Sequence, residues 1–206
     1  MSKVKIPKTS VSIDMTPMVD MAFLLVTFFI LTTQFRPDEP VQVSTPSSTS
    51  TSNPPEHGKV IITIAPDGRV FFDLDNQLFR SNLIQKMAES YGMTVNQDEI
   101  NAFATGGSIG VPMKQMKDYL DTPASDRKDY VQTGIPVDTT EYLSNELSVW
   151  LVNARIAGNN PMILIKGDSK ANYPNVKNVF TTLAKKNVLR FGLITDEEAM
   201  PKDLPK

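Results

Sequence analysis

Residues 17–35, PMVDMAFLLVTFFILTTQF, are the stretch that decides the architecture of this 206-residue chain. A helix of this length, at about 1.5 Å per residue, spans roughly 28 Å, which approaches the thickness of a bilayer core of about 30 Å. Thr16 is a suitable N-cap for such a helix, and Pro17 suits its first turn. The sequence therefore predicts a single transmembrane helix over residues 16–36.

Two other interpretations of this stretch are a cleaved signal peptide and a buried core helix. A signal peptide also combines a basic start with an apolar run, but this run contains Asp20, and no small-residue cleavage motif precedes Arg36. A buried helix that is so uniformly apolar and so close to a chain end is unusual. The composition and the flanks favour a membrane anchor.

Three lysines precede the apolar stretch and set its expected orientation. Because positively charged flanks stay in the cytoplasm, Lys3, Lys5 and Lys8 predict a cytoplasmic tail over residues 1–15. The rest of the chain, after the helix, is expected to face the opposite compartment.

Polar residues within the predicted membrane helix lie on one side of it. A carboxylate in the bilayer costs about 2.5–3.5 kcal/mol, and its default interpretation is a proton or ion site. At 100° per residue, four polar side chains fall within about 40° of one another: Thr16, Asp20, Thr27 and Gln34. Thr27 and Gln34 could equally serve ordinary hydrogen bonding between helices. Asp20 is therefore the predicted proton-carrying residue.

The residues around Asp20 resemble the N-terminal signature of the ExbD/TolR family of biopolymer-transport motor subunits. The segment 13–30, IDMTPMVDMAFLLVTFFI, matches that signature at Asp14, Thr16, Pro17 and Asp20 and at the Phe-Leu-Leu that follows. The resemblance implies a single-pass protein of the inner membrane, present as two copies inside a pentamer of multi-span ExbB or TolQ subunits. It also implies that protons pass by way of the acid at the position of Asp20, and that the complex energises TonB or TolA.

Residues 37–58 are rich in Ser, Thr and Pro and poor in bulky apolar groups, which predicts a linker. Within it, residues 41–46, VQVSTP, are similar to a short extended segment that follows the membrane helix in the family. The resemblance implies a possible partner contact at four residues of the periplasmic part, namely Val41, Val43, Pro46 and Leu193.

From Lys59 the pattern becomes that of an α+β domain, predicted over residues 59–195. We expect a small mixed sheet with helices on one face and a C-terminal βαβ unit. Asp138 and Glu141 have the spacing of a capping box and predict the start of a long helix. The predicted strands are 59–65, 69–73, 162–166 and 189–195, the predicted helices are 76–91, 97–104, 112–120, 138–157 and 174–186, and 121–137 is a predicted loop.

The family resemblance returns near the C-terminus and leans toward ExbD. Residues 163–168, ILIKGD, and residues 191–195, FGLIT, resemble its periplasmic domain. Residues 74–137 have no counterpart in this resemblance and are predicted to be an insertion. Residues 196–206 are predicted to be a loose polar tail.

Several classes of function are disfavoured by composition. The net charge of −2 and the lack of a basic stripe argue against nucleic acid as a partner, and the chain has no cysteine and one histidine, His57. We expect no enzyme, cofactor or metal site. The glycines of residues 106–110 lack the strand–turn–helix context of a phosphate-binding loop. Asp168 and Tyr173 are interpreted as a loop acid and a helix-capping aromatic rather than a ligand pair.

The sequence thus predicts a proton-channel subunit that uses the proton motive force to energise TonB-dependent transport across the outer membrane. Two alternatives stay open. One is a TolR-like subunit for envelope integrity, and the other is a membrane-tethered periplasmic module that binds peptidoglycan or a partner protein without a proton role.

Overall fold

The computed structural model describes residues 14–33, 39–49, 54–55, 57–138 and 145–198. The chain divides into two compact units between Arg36 and Pro37. Lys3, Lys5, Lys8 and Gln34, on which part of the membrane prediction rests, lie outside the described residues.

The first unit contains helix α1, Thr16–Thr32. Met15 occupies the N-cap position, and the Asp14 carboxylate accepts hydrogen bonds from the Thr16 backbone N–H at 3.0 Å and from its hydroxyl at 2.7 Å. Thr16 is therefore the first helical residue rather than the predicted N-cap. The predicted helix ends at residue 36, whereas α1 ends at Thr32 and has Thr33 as its C-cap. Residues 34–36 are not described.

None of the helices in the described part of the chain has both the length and the apolar character needed to cross a membrane.

The second unit is built on a four-stranded mixed sheet in the order β3-β2-β4-β5. Strand β2, Lys59–Ile64, pairs antiparallel with β3, Val70–Leu74, and parallel with β4, Met162–Gly167. Strand β5, Phe191–Ile194, pairs parallel with β4. The predicted hairpin, the mixed sheet and the parallel strands of the βαβ unit are confirmed.

Five helices pack against one face of this sheet, as predicted. They are α2 (Gln77–Tyr91), α3 (Gln97–Thr105), α4 (Met113–Asp121), α5 (Glu146–Ala157) and α6 (Tyr173–Lys185). Alternate strand residues such as Val60, Ile62 and Ile165 join the helices in a single core. Trp150, fully buried, lies at its centre with its ring centroid 5.4 Å from that of Phe72.

Helix α5 begins later than the capping-box pattern predicts. Asp138 is not helical, Glu141 lies outside the described residues, and the N-cap is Asn145, whose side chain accepts from the Ser148 N–H at 3.0 Å. Asn145 also donates to the Thr182 hydroxyl of α6 at 2.8 Å, so tertiary contact helps to fix this helix start. The predicted start at residue 138 is wrong.

The segment 74–137 is part of the core rather than an appended lobe. Its helices α2, α3 and α4 contribute buried residues such as Ile84, Phe103 and Met116 to the same cluster as the sheet. Ile109 forms an antiparallel bridge with Phe72, so the segment also covers the outer edge of β3.

The predicted linker contains an ordered part, residues 39–49. Strand β1, Ser47–Ser48, pairs parallel with β6, Asp196–Glu197, in a separate two-stranded sheet. The predicted polar tail therefore starts with a paired strand. Side chains alternate along residues 41–45, where Val41, Val43 and Thr45 are half-buried and the residues between them are exposed.

Candidate functional site

Asp20 is the only ionisable residue of α1. None of the side chains of the helix is buried, and its large apolar residues are exposed, Met18 for example by 61 %. Among the described residues, no group donates a hydrogen bond to the Asp20 carboxylate or forms an ion pair with it.

Three of the four predicted stripe residues lie on one side of α1. Thr16, Asp20 and Thr27 are separated by four and seven positions, which places them within about 40° on a helix. The Thr27 hydroxyl donates to the Leu24 carbonyl at 2.9 Å, so its proton is already used within the helix. Asp20 is the member of this face that lacks an internal partner.

A second candidate region lies on the face of the four-stranded sheet opposite to the helices. Here a pocket of about 140 Å³ lies between the sheet and the start of the ordered linker segment. Its apolar wall includes Val41, Ile61, Phe71 and Ile194. The pocket is small because the chain's own linker covers this face.

Polar contacts hold the linker segment in place. Lys166 Nζ donates to Glu39 at 2.7 Å, and the Asp168 carboxylate accepts from the Ser44 N–H at 2.8 Å. The Ser169 N–H returns a bond to the Ser44 carbonyl at 2.8 Å. Hydrogen bonds from the backbone of Lys170 and then of Ser44 lower the pKa of Asp168.

The four predicted partner-contact residues are only partly brought together. Val41 and Val43 are half-buried on the linker segment, and the Pro46 carbonyl accepts from the Asp196 N–H at 3.0 Å. Leu193 pairs in register with Ile165, a core residue, so it belongs to the helix side of the sheet, where it is 61 % exposed. Leu193 therefore does not share a surface with the other three.

Asp168 is a loop acid, as predicted, but Asn172 rather than Tyr173 occupies the N-cap position of α6. The carboxylate binds backbone N–H groups of the loop and the linker, whereas Tyr173 is 73 % exposed at the start of α6. Among the described residues there is no group of three or more acidic or histidine side chains placed to hold a metal ion.

The linker anchors Glu39, Ser44 and Lys166 were not identified from the sequence. The available signal was the alternation of apolar and polar residues at 41–44, which is typical of a strand. The Ser- and Thr-rich composition of residues 37–58 favoured a linker instead, and this prediction was preferred to a strand.

The chain thus combines an apolar helix that carries one carboxylate with a separate α+β domain. The family model described as "Biopolymer transport protein ExbD/TolR" matches residues 7–198. The chain belongs to the ExbD/TolR family, whose members are subunits of biopolymer-transport motors that work with ExbB or TolQ and with TonB or TolA. No curated protein and no solved structure matches the chain significantly.

Proposed function

We propose that this chain is the proton-carrying subunit of an inner-membrane motor that energises TonB-dependent transport, with Asp20 as the protonatable group. The observation that carries the proposal is the isolation of the Asp20 carboxylate, the only ionisable group of α1 and one without a partner there. A carboxylate on an otherwise apolar membrane helix is by default a proton or ion site.

Replacement of Asp20 by asparagine tests the proton role. Asp20→Asn keeps the size of the side chain and removes its titration, so we expect normal amounts of assembled complex and loss of energised uptake. The measurement is uptake of a TonB-dependent substrate in cells whose only copy is the variant.

Thr27→Val is the matched control because it changes the same face of α1 without removing a titratable group. The Thr27 hydroxyl donates within the helix, so its loss should leave uptake near the wild-type rate. Uptake at the wild-type rate in the Asp20→Asn cells would refute the proton role.

We further propose that residues 16–36 anchor the chain in the inner membrane, with the N-terminus in the cytoplasm and the second unit in the periplasm. The membrane location of the family supports this, and the 17 residues of α1 at about 1.5 Å each reach roughly 26 Å, against a bilayer core of about 30 Å. The chain has no cysteine, so single cysteines at Ser50 and Ser2 give clean probes. An impermeant thiol reagent added to spheroplasts should label only the one at Ser50, and labelling of Ser2 alone would reverse the orientation.

The proposed assembly follows the family: two copies of this chain surrounded by a pentamer of ExbB- or TolQ-like subunits. Asp20 supports a protein-facing side of α1, because ionisable residues of membrane helices almost always face the interior of a helix bundle or a hydrated cavity.

A second candidate function is a tethered binding module without a proton role. The pocket beneath Val41 supports it, since displacement of the linker segment would open an apolar sheet face to a partner. In that case Asp20→Asn would retain activity, whereas Lys166→Ala, which removes the contact with Glu39, would change partner binding.

A further inference from the structure

A second, larger pocket lies at the end of the domain where α5 and α6 end and β4 and β5 begin. Its volume is about 350 Å³. Two arginines, two asparagines and apolar residues line it, and none of the lining residues is acidic: Arg155, Asn160, Pro161, Met162, Ile163, Asn187, Val188, Leu189 and Arg190. No part of the proposed proton function uses this pocket.

The guanidinium group of Arg155 is held in place at the pocket wall. Its Nε donates to the Asn160 side-chain oxygen at 3.0 Å, and Nη1 donates to the Lys186 carbonyl at 3.3 Å. Asn160 has a positive φ of 62°, and its N–H donates to the Arg155 carbonyl at 2.8 Å. These bonds fix the group between two loops and leave Nη2 without a partner among the described residues.

This end of the domain carries more positive charge than the two helix dipoles that end here would compensate. Two helix C-termini lie here, and each carries about half a negative charge, or about −1 together. Arg155 and Arg190 place two guanidinium groups, with a charge of +2 together, at the same end. Among the described residues, no carboxylate lies within ion-pair distance of Arg155 or Arg190. Compensation of the helix dipoles accounts for only part of this charge.

Apolar side chains border the charged groups. Leu189 is 77 % exposed and Met162 is 42 % exposed, and both line the pocket. A ligand that fits this surface would carry an oxyanion for the guanidinium groups and a small apolar group beside it.

We propose that this pocket binds an oxyanion, a carboxylate or a phosphate, through Arg155 and Arg190. Guanidinium groups donate paired N–H bonds to both oxyanions, and such charge-assisted bonds are stronger than neutral ones. Arg155 is oriented before the ligand arrives, so binding costs little side-chain ordering. Asn160 and Asn187 supply further polar groups at the rim.

The test uses the full-length chain, labelled with 15N-arginine in non-ionic detergent micelles, and titration with inorganic phosphate or N-acetylalanine. The chain has six arginines, so the Nε–H signals of the other four are internal controls. We expect the signals of Arg155 and Arg190 to shift at millimolar ligand while the others stay. Tighter binding of phosphate would indicate a phosphoryl group as the natural ligand, and tighter binding of N-acetylalanine a carboxylate.

Two variants and a control complete the experiment. Arg155→Gln and Arg190→Gln should each weaken binding about tenfold or more, because each removes charge-assisted bonds. Arg190 is exposed and makes no bond to the described residues, so its replacement should leave the fold intact. Lys177→Gln removes the same charge from an exposed position of α6 outside the pocket and should change binding less than about twofold.

The proposal would be overturned by equal shifts of all six arginine signals, by no shift at millimolar ligand, or by a Lys177→Gln effect as large as that of Arg190→Gln. The Asp20→Asn chain should bind as the wild type does, so this result is separate from the proton proposal.

Discussion

Arg80 connects the segment 74–137 to the sheet, and its loss should be among the most destabilising single changes in the domain. The side chain is 6 % exposed and forms an ion pair with Asp73 of β3. It also donates to the carbonyls of Gly107 at 2.6 Å and Phe103 at 3.1 Å, and it lies over the Phe103 ring at 5.2 Å. Arg80→Met keeps most of the apolar stem and removes every one of these bonds.

The expected loss follows from the groups left behind. Breaking a buried ion pair on one side costs about 3–5 kcal/mol, because the remaining charge is desolvated. The Asp73 side chain is 35 % exposed, so water can partly solvate its charge once Arg80 is removed. The lower end of the range of about 3–5 kcal/mol therefore applies to this pair. The two carbonyls lose charge-assisted bonds as well. We expect Arg80→Met to lower the free energy of unfolding by about 3 kcal/mol.

The assay is urea unfolding followed by tryptophan fluorescence. Trp150 is the only tryptophan of the chain, and its ring lies 6.1 Å from that of Phe103, so the signal reports on this core. Lys86→Met on the same helix is the control, because Lys86 makes no ion pair with the described residues; we expect a change within about 0.5 kcal/mol. A loss below about 1 kcal/mol for Arg80→Met would show that Arg80 does not connect the two parts as described.

Two further predictions concern the sheet. Gly110→Ala should lower the free energy of unfolding by about 1–3 kcal/mol, measured in the same assay, because the added Cβ would overlap the Phe71 ring; wild-type stability would contradict this packing. The contribution of Asp168 to docking of the linker segment should be present above its ordinary pKa of 3.8 and be lost as the pH falls through its lowered value. Hydrogen exchange at the Asp196 N–H, which bonds to Pro46, should then accelerate in acid and in Asp168→Asn at neutral pH, and unchanged exchange in both would exclude the role of Asp168.

Elements with a local signal were predicted well from the sequence. The hairpin followed from its β-branched residues and the turn at 66–68, and the end of α2 followed from Gly92, which adopts φ 64°. Asp20 stood out because a carboxylate in an apolar helix has few structural uses.

Elements that depend on distant partners were missed or misplaced. Ser47 pairs with Asp196 across 149 positions, and a pairing of that separation leaves no local pattern. The start of α5 depends on the contact between Asn145 and Thr182, whereas the capping-box motif at residue 138 needs only two residue types and occurs by chance. Arg155 and Arg190 are 35 positions apart, so only the fold reveals that they share a pocket.

The bridge between Ile109 and Phe72 limits how copies of this domain can join. Ile135 also donates to the Val70 carbonyl at 2.8 Å, so one side of the four-stranded sheet is capped. Among the described residues, no strand pairs with the outer edge of β5. Strand addition through the outer edge of β5 can therefore join two copies of the four-stranded sheet, but the covered edge of β3 offers no place for a third copy to add a strand to the same sheet.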